Sequence, residues 1–293
     1  MKVQINEKFM IPLTAGNAVG KGWTSATQHR PMGVTWHWTA SWDLQGCRDT
    51  IGGSHPAQQG IASAHYGVGR SFSEGIDRYV SLDNRSWHAG KNQLLRWDGQ
   101  PSNDRTKGAR ATIGVETVNI GYARDGVKAG ADWIKAHSPN GKQAMLIQPW
   151  TEEQIAMMIQ AGREIIERWP AITWQDHHGH HDVCPGYKVD VAGFPFARVL
   201  RGIYEDPGIP DIWSPFWTAT QRQRALVKLG YDLGRFGPNG DGVDGDWGRA
   251  SDAALSAFQK QNNLVVNGYW TTFVSRVAWN LLVVRGIDPD SLT

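Results

Sequence analysis

VTWHWTAS, residues 34–41, alternates β-branched and aromatic residues with small polar ones, which is the two-residue period of a strand. The same reading picks out SAHYGVG at 63–69 and IDRYVSL at 76–82, and the Gly- and Ser-rich GRSFSEG between them suits a hairpin turn. ATIGVETVNIG at 111–121 is dominated by β-formers and predicts a buried strand. TEEQIAMMIQAGREIIERWP, 151–170, opens on a Thr cap with an acidic first turn. It carries apolar Ile155, Met158, Ile159, Ile165 and Ile166 at helical spacing and ends at Pro170, so it predicts an amphipathic helix. Strands interleaved with a helix indicate an α/β domain over residues 1–205.

Residues 123–149 show little periodicity and read as a long surface excursion. YEDPGIPDIWSP, 204–215, with Pro207, Pro210 and Pro215, is the best candidate linker, placed at 206–216. Beyond it, TQRQRALVKLGYDL, ASDAALSAFQKQNNL and TTFVSRVAWNLLVVRG each carry helix-spaced apolar residues, so residues 217–293 predict a small helical domain.

Composition is that of a folded protein, with 40% hydrophobic and 20% charged residues in a chain of 293. A net charge of +2 without a clustered basic stretch argues against nucleic-acid binding. Fifteen tryptophans suit stacking on sugar rings as well as core packing. Cys47 and Cys184, far apart in sequence, imply no disulfide framework. The opening MKVQINEKFMIPLTAG lacks the apolar run of a secretory leader, and no stretch is apolar enough to span a bilayer. Synthesis in the cytoplasm and no stable membrane insertion are therefore expected.

The densest chemistry is DHHGHHDVCPGYKVD, 176–190, where imidazole, carboxylate and thiolate make up a zinc ligand set. Alone, this stretch fits either a metal site or a solvated His-rich loop. GHHDVCPGYKVD, however, resembles the G-H-x-D-x-x-P-G-x-K-x-D motif of the type-2 N-acetylmuramoyl-L-alanine amidases, which are relatives of the animal peptidoglycan recognition proteins and include phage endolysins. VTWHWTAS resembles that family's first zinc strand, SAHYGVG and RYVSLDNRSWHAG its following strands and W-H-A-G loop, and ATIGVETVNIG its I-G-I-E strand, in the family's order.

The resemblance implies a mixed central β-sheet flanked by helices, with Zn2+ held by His37, His180 and Asp190. Two neutral imidazoles and a carboxylate are the donor set of a hydrolytic zinc. His177, His178 and His181 are rivals to His180, which alone follows Gly179 and precedes Asp182 by the motif's spacing. Cys184 rivals Asp190, but some members place their cysteine ligand eight residues past the histidine, and Cys184 lies only four past it. Asp182 is expected to hold the loop or orient a ligand histidine. The same resemblance makes Glu116 the general base and Lys188 the donor to the oxyanion, and sets His65, Trp87 and His88 along the substrate groove.

Residues 217–283 resemble the three-helix peptidoglycan-binding domain of wall hydrolases, through the L-x-x-L-G-Y opening, the D-G-x-W-G turn at Asp244–Gly248 and the A-x-x-x-F-Q helix. DGVDGDWG has a faint EF-hand look but lacks the glutamate such a loop requires at its end, which argues against calcium. The resemblance thus implies a monomeric amidase cutting the bond between N-acetylmuramic acid and L-alanine in bacterial peptidoglycan. A phage endolysin reaching the wall after release is its expected role. A non-catalytic recognition protein and a cytosolic enzyme recycling anhydro-muropeptides are the alternatives.

Overall fold

The computed structural model describes residues 2–11, 30–51, 62–89, 108–138 and 143–293, together with the backbone of 23 and 24. In chain order the N-terminal part comprises β1 (Ile5–Asn6), β2 (Trp23–Thr24), β3 (Gly33–Trp38), α1 (Leu44–Thr50), β4 (Tyr66–Val68), β5 (Ile76–Arg78) and β6 (Arg85–Ser86). There follow α2 (Gly108–Ala111), β7 (Thr112–Thr117), β8 (Ile134–His137), β9 (Ala144–Ile147), α3 (Glu152–Arg168), β10 (His177–Gly179), α4 (His180–Val183) and α5 (Phe196–Tyr204). The C-terminal part adds α6 (Ala219–Lys228), α7 (Arg249–Gln261) and α8 (Thr272–Val284).

The main sheet has the order β1-β5-β4-β7-β3-β10. Only β4 and β5 run antiparallel, joined through the turn at 69–75, and every other pair is parallel. A strand covered on both faces has little use for polar alternation. The central strands fit that rule: β7 is buried along its whole length and β3 everywhere but its last residue.

Thr151 caps α3, its Oγ1 accepting from the Gln154 N–H at 3.1 Å, an arrangement that contributes about 1 kcal/mol in such helices. The helix lays Ile155, Met158, Ala161 and Ile165 against the sheet. Its outer side meets α5 where both helices present glycine. A Cβ on Gly162 would lie 2.2 Å from Cδ1 of Ile203, and one on Gly202 would lie 2.3 Å from Cδ1 of Ile159. On the other face Arg48 of α1 forms a 2.6 Å ion pair with fully buried Asp77 of β5.

Two sequence expectations change in detail. The excursion at 123–149 contains an antiparallel hairpin, β8 paired with β9, whose buried Ala136, Met145 and Ile147 join the core. The proline-rich segment at 206–216, expected as the linker, packs onto the N-terminal core. Ile209, Ile212 and Trp213 are buried, which removes their apolar surface from water. Trp36, Trp150, Trp213, Trp247 and Trp270 are likewise core residues, whereas Trp42 is 56% exposed.

The C-terminal helices enclose Leu226, Leu255, Phe258, Val274 and Leu282. Their connecting turns are held from inside by two buried glutamines. Gln223 donates to Asp244 Oδ1 and accepts from the Gly245 N–H, both at 2.8 Å, while Gln259 accepts from the N–H groups of Asn267 and Gly268.

Candidate metal centre

In open α/β sheets the carboxyl ends of parallel strands are where ligands sit. Three such ends meet here. The β3–β7 register sets His37 beside Glu116, and the β3–β10 register pairs Trp36 with Gly179, so His180 emerges at the level of His37. Asp190 returns to the same point from the loop after α4. Nδ1 of His37 and Nδ1 of His180 are 3.0 Å apart, His180 Nδ1 and Asp190 Oδ2 are 3.0 Å apart, and His37 Nδ1 and Asp190 Oδ2 are 3.4 Å apart. All three residues are buried.

This triangle fits zinc. Tetrahedral nitrogen and oxygen ligands at about 2.0–2.1 Å from the ion are separated by about 3.3 Å from one another. The observed edges bracket that value, and among the described residues these three make up the group of His, Cys, Asp and Glu able to hold a metal.

The hydrogen-bond network fixes which nitrogen of His37 faces the site. The Thr112 carbonyl lies 3.2 Å from His88 Nε2 and can only accept, so that nitrogen carries the proton. Nδ1 of His88 is then a bare acceptor, and it takes the hydrogen from His37 Nε2 at 3.0 Å. His37 Nδ1 is left as a lone pair aimed at His180 and Asp190, the state a metal ligand requires. Burial, helped by the neighbouring His180 charge, lowers the His37 pKa to about 4 and so keeps the ring neutral.

Burial opposes the charged form of His180, but the Asp190 carboxylate beside it prevails and pushes its pKa up to about 9. Burial likewise opposes ionisation of Asp190, and the His180 charge outweighs it, holding this carboxyl well below the usual range. Glu116 is moved the other way. Burial chiefly, and then the Asp190 charge, raise its pKa to about 8. Its Oε1 is 3.9 Å from His37 Nδ1.

The remaining expected residues are distributed around this point. Lys188, half-buried, sits two residues before Asp190, and its charge is felt at both His37 and Glu116. Trp87 is half-buried, its backbone N–H donating to Ser63 Oγ at 2.9 Å. His88 is 5% exposed and stands behind His37 rather than on an open wall. His65 has no exposed surface. Its Nδ1 accepts from the Gly114 N–H at 3.0 Å and its Nε2 donates to the Asn84 carbonyl at 3.0 Å. In this structure both rings brace the sheet under the site.

Of the rival histidines, His177 bonds Trp36 and Tyr204, His178 bonds Thr35, and His181 bonds the Asp190 carbonyl. The Cys184 thiol donates to the Ala89 carbonyl at 3.1 Å. Sequence reading missed the Thr112 carbonyl, whose part in fixing the His37 tautomer leaves no mark in the pattern of side chains.

Comparison with known proteins gives two family matches: the N-acetylmuramoyl-L-alanine amidase family over residues 27–190, and a peptidoglycan binding domain over residues 220–275. A search among curated proteins returns no significant match. Among solved structures the chain is similar to the amidase AmiD from E. coli, in complex with anhydro-N-acetylmuramic acid-L-Ala-D-gamma-Glu-L-Lys. That match has 20% identity and a TM-score of 0.47, and covers 90% of this chain and 94% of that one. AmpDh3 from Pseudomonas aeruginosa matches at 20% identity and a TM-score of 0.45, covering 94% of this chain and 100% of that one. A mutant endolysin from Bacillus subtilis matches at 16% identity and a TM-score of 0.40, covering 69% of this chain and 99% of that one.

Proposed function

Since the chain belongs to the N-acetylmuramoyl-L-alanine amidase family, whose match covers more than half of it, we propose that His37, His180 and Asp190 hold a zinc ion for amide hydrolysis, with Glu116 as general base and Lys188 as oxyanion donor. The observation that carries this reading is the buried triangle of two imidazole nitrogens and one carboxylate oxygen with a second carboxyl, Glu116, 3.9 Å from one corner.

A zinc ion held by His37, His180 and Asp190 would supply Lewis acidity for the lactyl carbonyl and would lower the pKa of water towards neutrality. Glu116 takes a proton from the attacking water and returns it to the nitrogen of L-alanine as the C–N bond breaks. Burial raises the proton affinity of this carboxyl, which favours its holding the proton between the two transfers. Lys188 donates a hydrogen to the carbonyl oxygen as that oxygen becomes negative. His88 keeps His37 in the tautomer described above. The products are a muramic acid with a free lactyl carboxylate and a stem peptide with a free L-alanine amine.

The C-terminal peptidoglycan binding domain favours polymeric wall as the natural substrate, since a weak wall contact raises the concentration of bonds near the site. Among the described residues no helix is long and apolar enough to cross a membrane. We assign the chain to lysis of a bacterial wall, as a phage endolysin does, in preference to recycling of soluble fragments. Mass spectrometry of digested sacculi tests this: zinc-loaded protein should release peptides with a new amine on L-alanine, and a chelator should abolish the release. Sacculi left intact, or opened at a glycosidic or peptide cross-link bond, would contradict the reading.

A further inference from the structure

The C-terminal unit is joined to the N-terminal one by more than the chain between them. Arg222 of α6, 4% exposed, donates to the Phe216 carbonyl at 2.7 Å and across the seam to the Ser138 and His137 carbonyls at 3.0 and 3.1 Å. The backbone N–H of His137 in turn donates to the Trp217 carbonyl. The β8–β9 hairpin is thus bolted to the helical unit by backbone and guanidinium contacts shielded from water.

A second contact reaches the metal centre itself. Asp182 of α4 is wholly buried, and its Oδ1 and Oδ2 accept from the backbone N–H and the Oγ1 of Thr272, both at 2.6 Å. Oδ2 also accepts from the Gly179 N–H at 2.9 Å. Thr272 is the first residue of α8, so its N–H lacks a partner within the helix, and a carboxylate is electrostatically favoured there. Gly179 and Asp182 flank His180. One carboxylate therefore ties the backbone leading into a metal ligand to a helix 90 residues further along the chain. Further round the same loop, a Cβ on Gly186 would lie 3.5 Å from the hydroxyl of Tyr269, also in the C-terminal unit.

We propose that the peptidoglycan-binding unit is a working part of the metal centre. Through Thr272 it positions Asp182 and the loop bearing His180 and Asp190, so that zinc affinity depends on the contact between the two units. The proposal rests on the zinc reading above. It makes Thr272 a positioning residue and separates this unit from a mere tether, which would matter for polymeric wall and leave small substrates and metal uptake untouched.

The experiment uses the full chain. Thr272→Pro removes both donors at a helix position that tolerates proline, and the extended backbone of Thr271 before it suits a following proline. Thr272→Val removes the hydroxyl alone, and Thr272→Ser restores it. Zinc affinity is measured by competition with a chromophoric chelator, and turnover is measured on a soluble muramoyl tripeptide. Thr272→Pro should weaken zinc binding about 10-fold or more, the size typical of lost partners behind metal ligands. Thr272→Val should fall between, Thr272→Ser should match wild type, and excess zinc should restore tripeptide cleavage. Wild-type zinc affinity in a folded Thr272→Pro, or in Thr272→Val should the proline variant not fold, overturns the proposal and leaves the amidase reading standing. A wild-type chain that takes up no zinc overturns both.

Discussion

His37 and Glu116 are directly opposed in the parallel pair of central strands, and Oε1 of Glu116 lies 3.9 Å from Nδ1 of His37. On the proposed reading, this pairing separates holding a metal, given to His37, from moving a proton, given to Glu116. Glu116→Gln keeps the shape and loses the base, so it should bind zinc as wild type does while turnover on sacculi falls about 100- to 10,000-fold. Zinc content by atomic absorption and release of L-alanine amines check the two halves independently. Wild-type turnover by the zinc-loaded variant would remove Glu116 from the proton path.

Metal removal should register in stability as well as in activity. Without an ion, a neutral His37 is held against the charged His180–Asp190 pair by contacts of 3.0–3.4 Å. A ligand that binds only the folded chain stabilises it by about 2.7 kcal/mol at 100 times its dissociation constant. The melting temperature of chelator-treated protein should therefore climb as zinc is added back, and Asp190→Ala should show no such climb. A wild-type melting curve indifferent to zinc would count against the site.

Sequence carried the local part of this picture. The alternation in VTWHWTAS marks β3, and the Thr151 cap with Ile155, Met158 and Ile165 marks α3, because both signals repeat within a few residues. The motif spacing brought out His37, His180 and Asp190, which the fold gathers within 4.8 Å. Contacts set only by the assembled fold were not legible. His88 reads like a groove residue until the Thr112 carbonyl is seen behind it. Residues 123–149 look aperiodic because the strands of the β8–β9 hairpin are four residues each, too short to establish a period. Nothing near Thr272 announces a carboxylate 90 residues away.

His177 gives the chain a pH-dependent stability distinct from catalysis. Its Nδ1 accepts from the Trp36 indole at 3.1 Å and its Nε2 donates to the Tyr204 hydroxyl at 3.0 Å, which fits only the neutral ring. Burial lowers its pKa from 6.5 to about 3. The unfolded chain binds a proton here that the folded chain refuses. This contribution is therefore complete above pH 6.5, declines as pH falls, and levels off near 3. One such group steepens the acid limb by about 1.4 kcal/mol per pH unit. His177→Asn should lower stability at neutral pH, through lost packing, yet flatten the limb by one proton. Urea unfolding from pH 7 to pH 4 measures the slope, and an unchanged slope would assign the acid sensitivity elsewhere.

The tautomer lock on His37 can be tested from behind. Gly114 lies beneath the His88 ring, and a Cβ there would come within 2.4 Å of His88 Cγ, closer than real contacts allow. Gly114→Ala therefore forces the ring away from the Thr112 carbonyl and from His37 Nε2, while His88→Ala removes it altogether. Either change frees His37 to carry its proton on the nitrogen that must face the ion, so the zinc dissociation constant should rise about 10-fold. His88→Asn keeps an acceptor near the Nδ1 position and should lose less. Long-range nitrogen–proton spectra of the zinc-free protein report the tautomer directly. Wild type should show the Nε2–H form of His37, and His88→Ala a mixture. If His88→Ala keeps both the Nε2–H form and wild-type zinc affinity, the carbonyl-to-metal relay plays no part in preparing His37, and the buried His88 ring is packing alone.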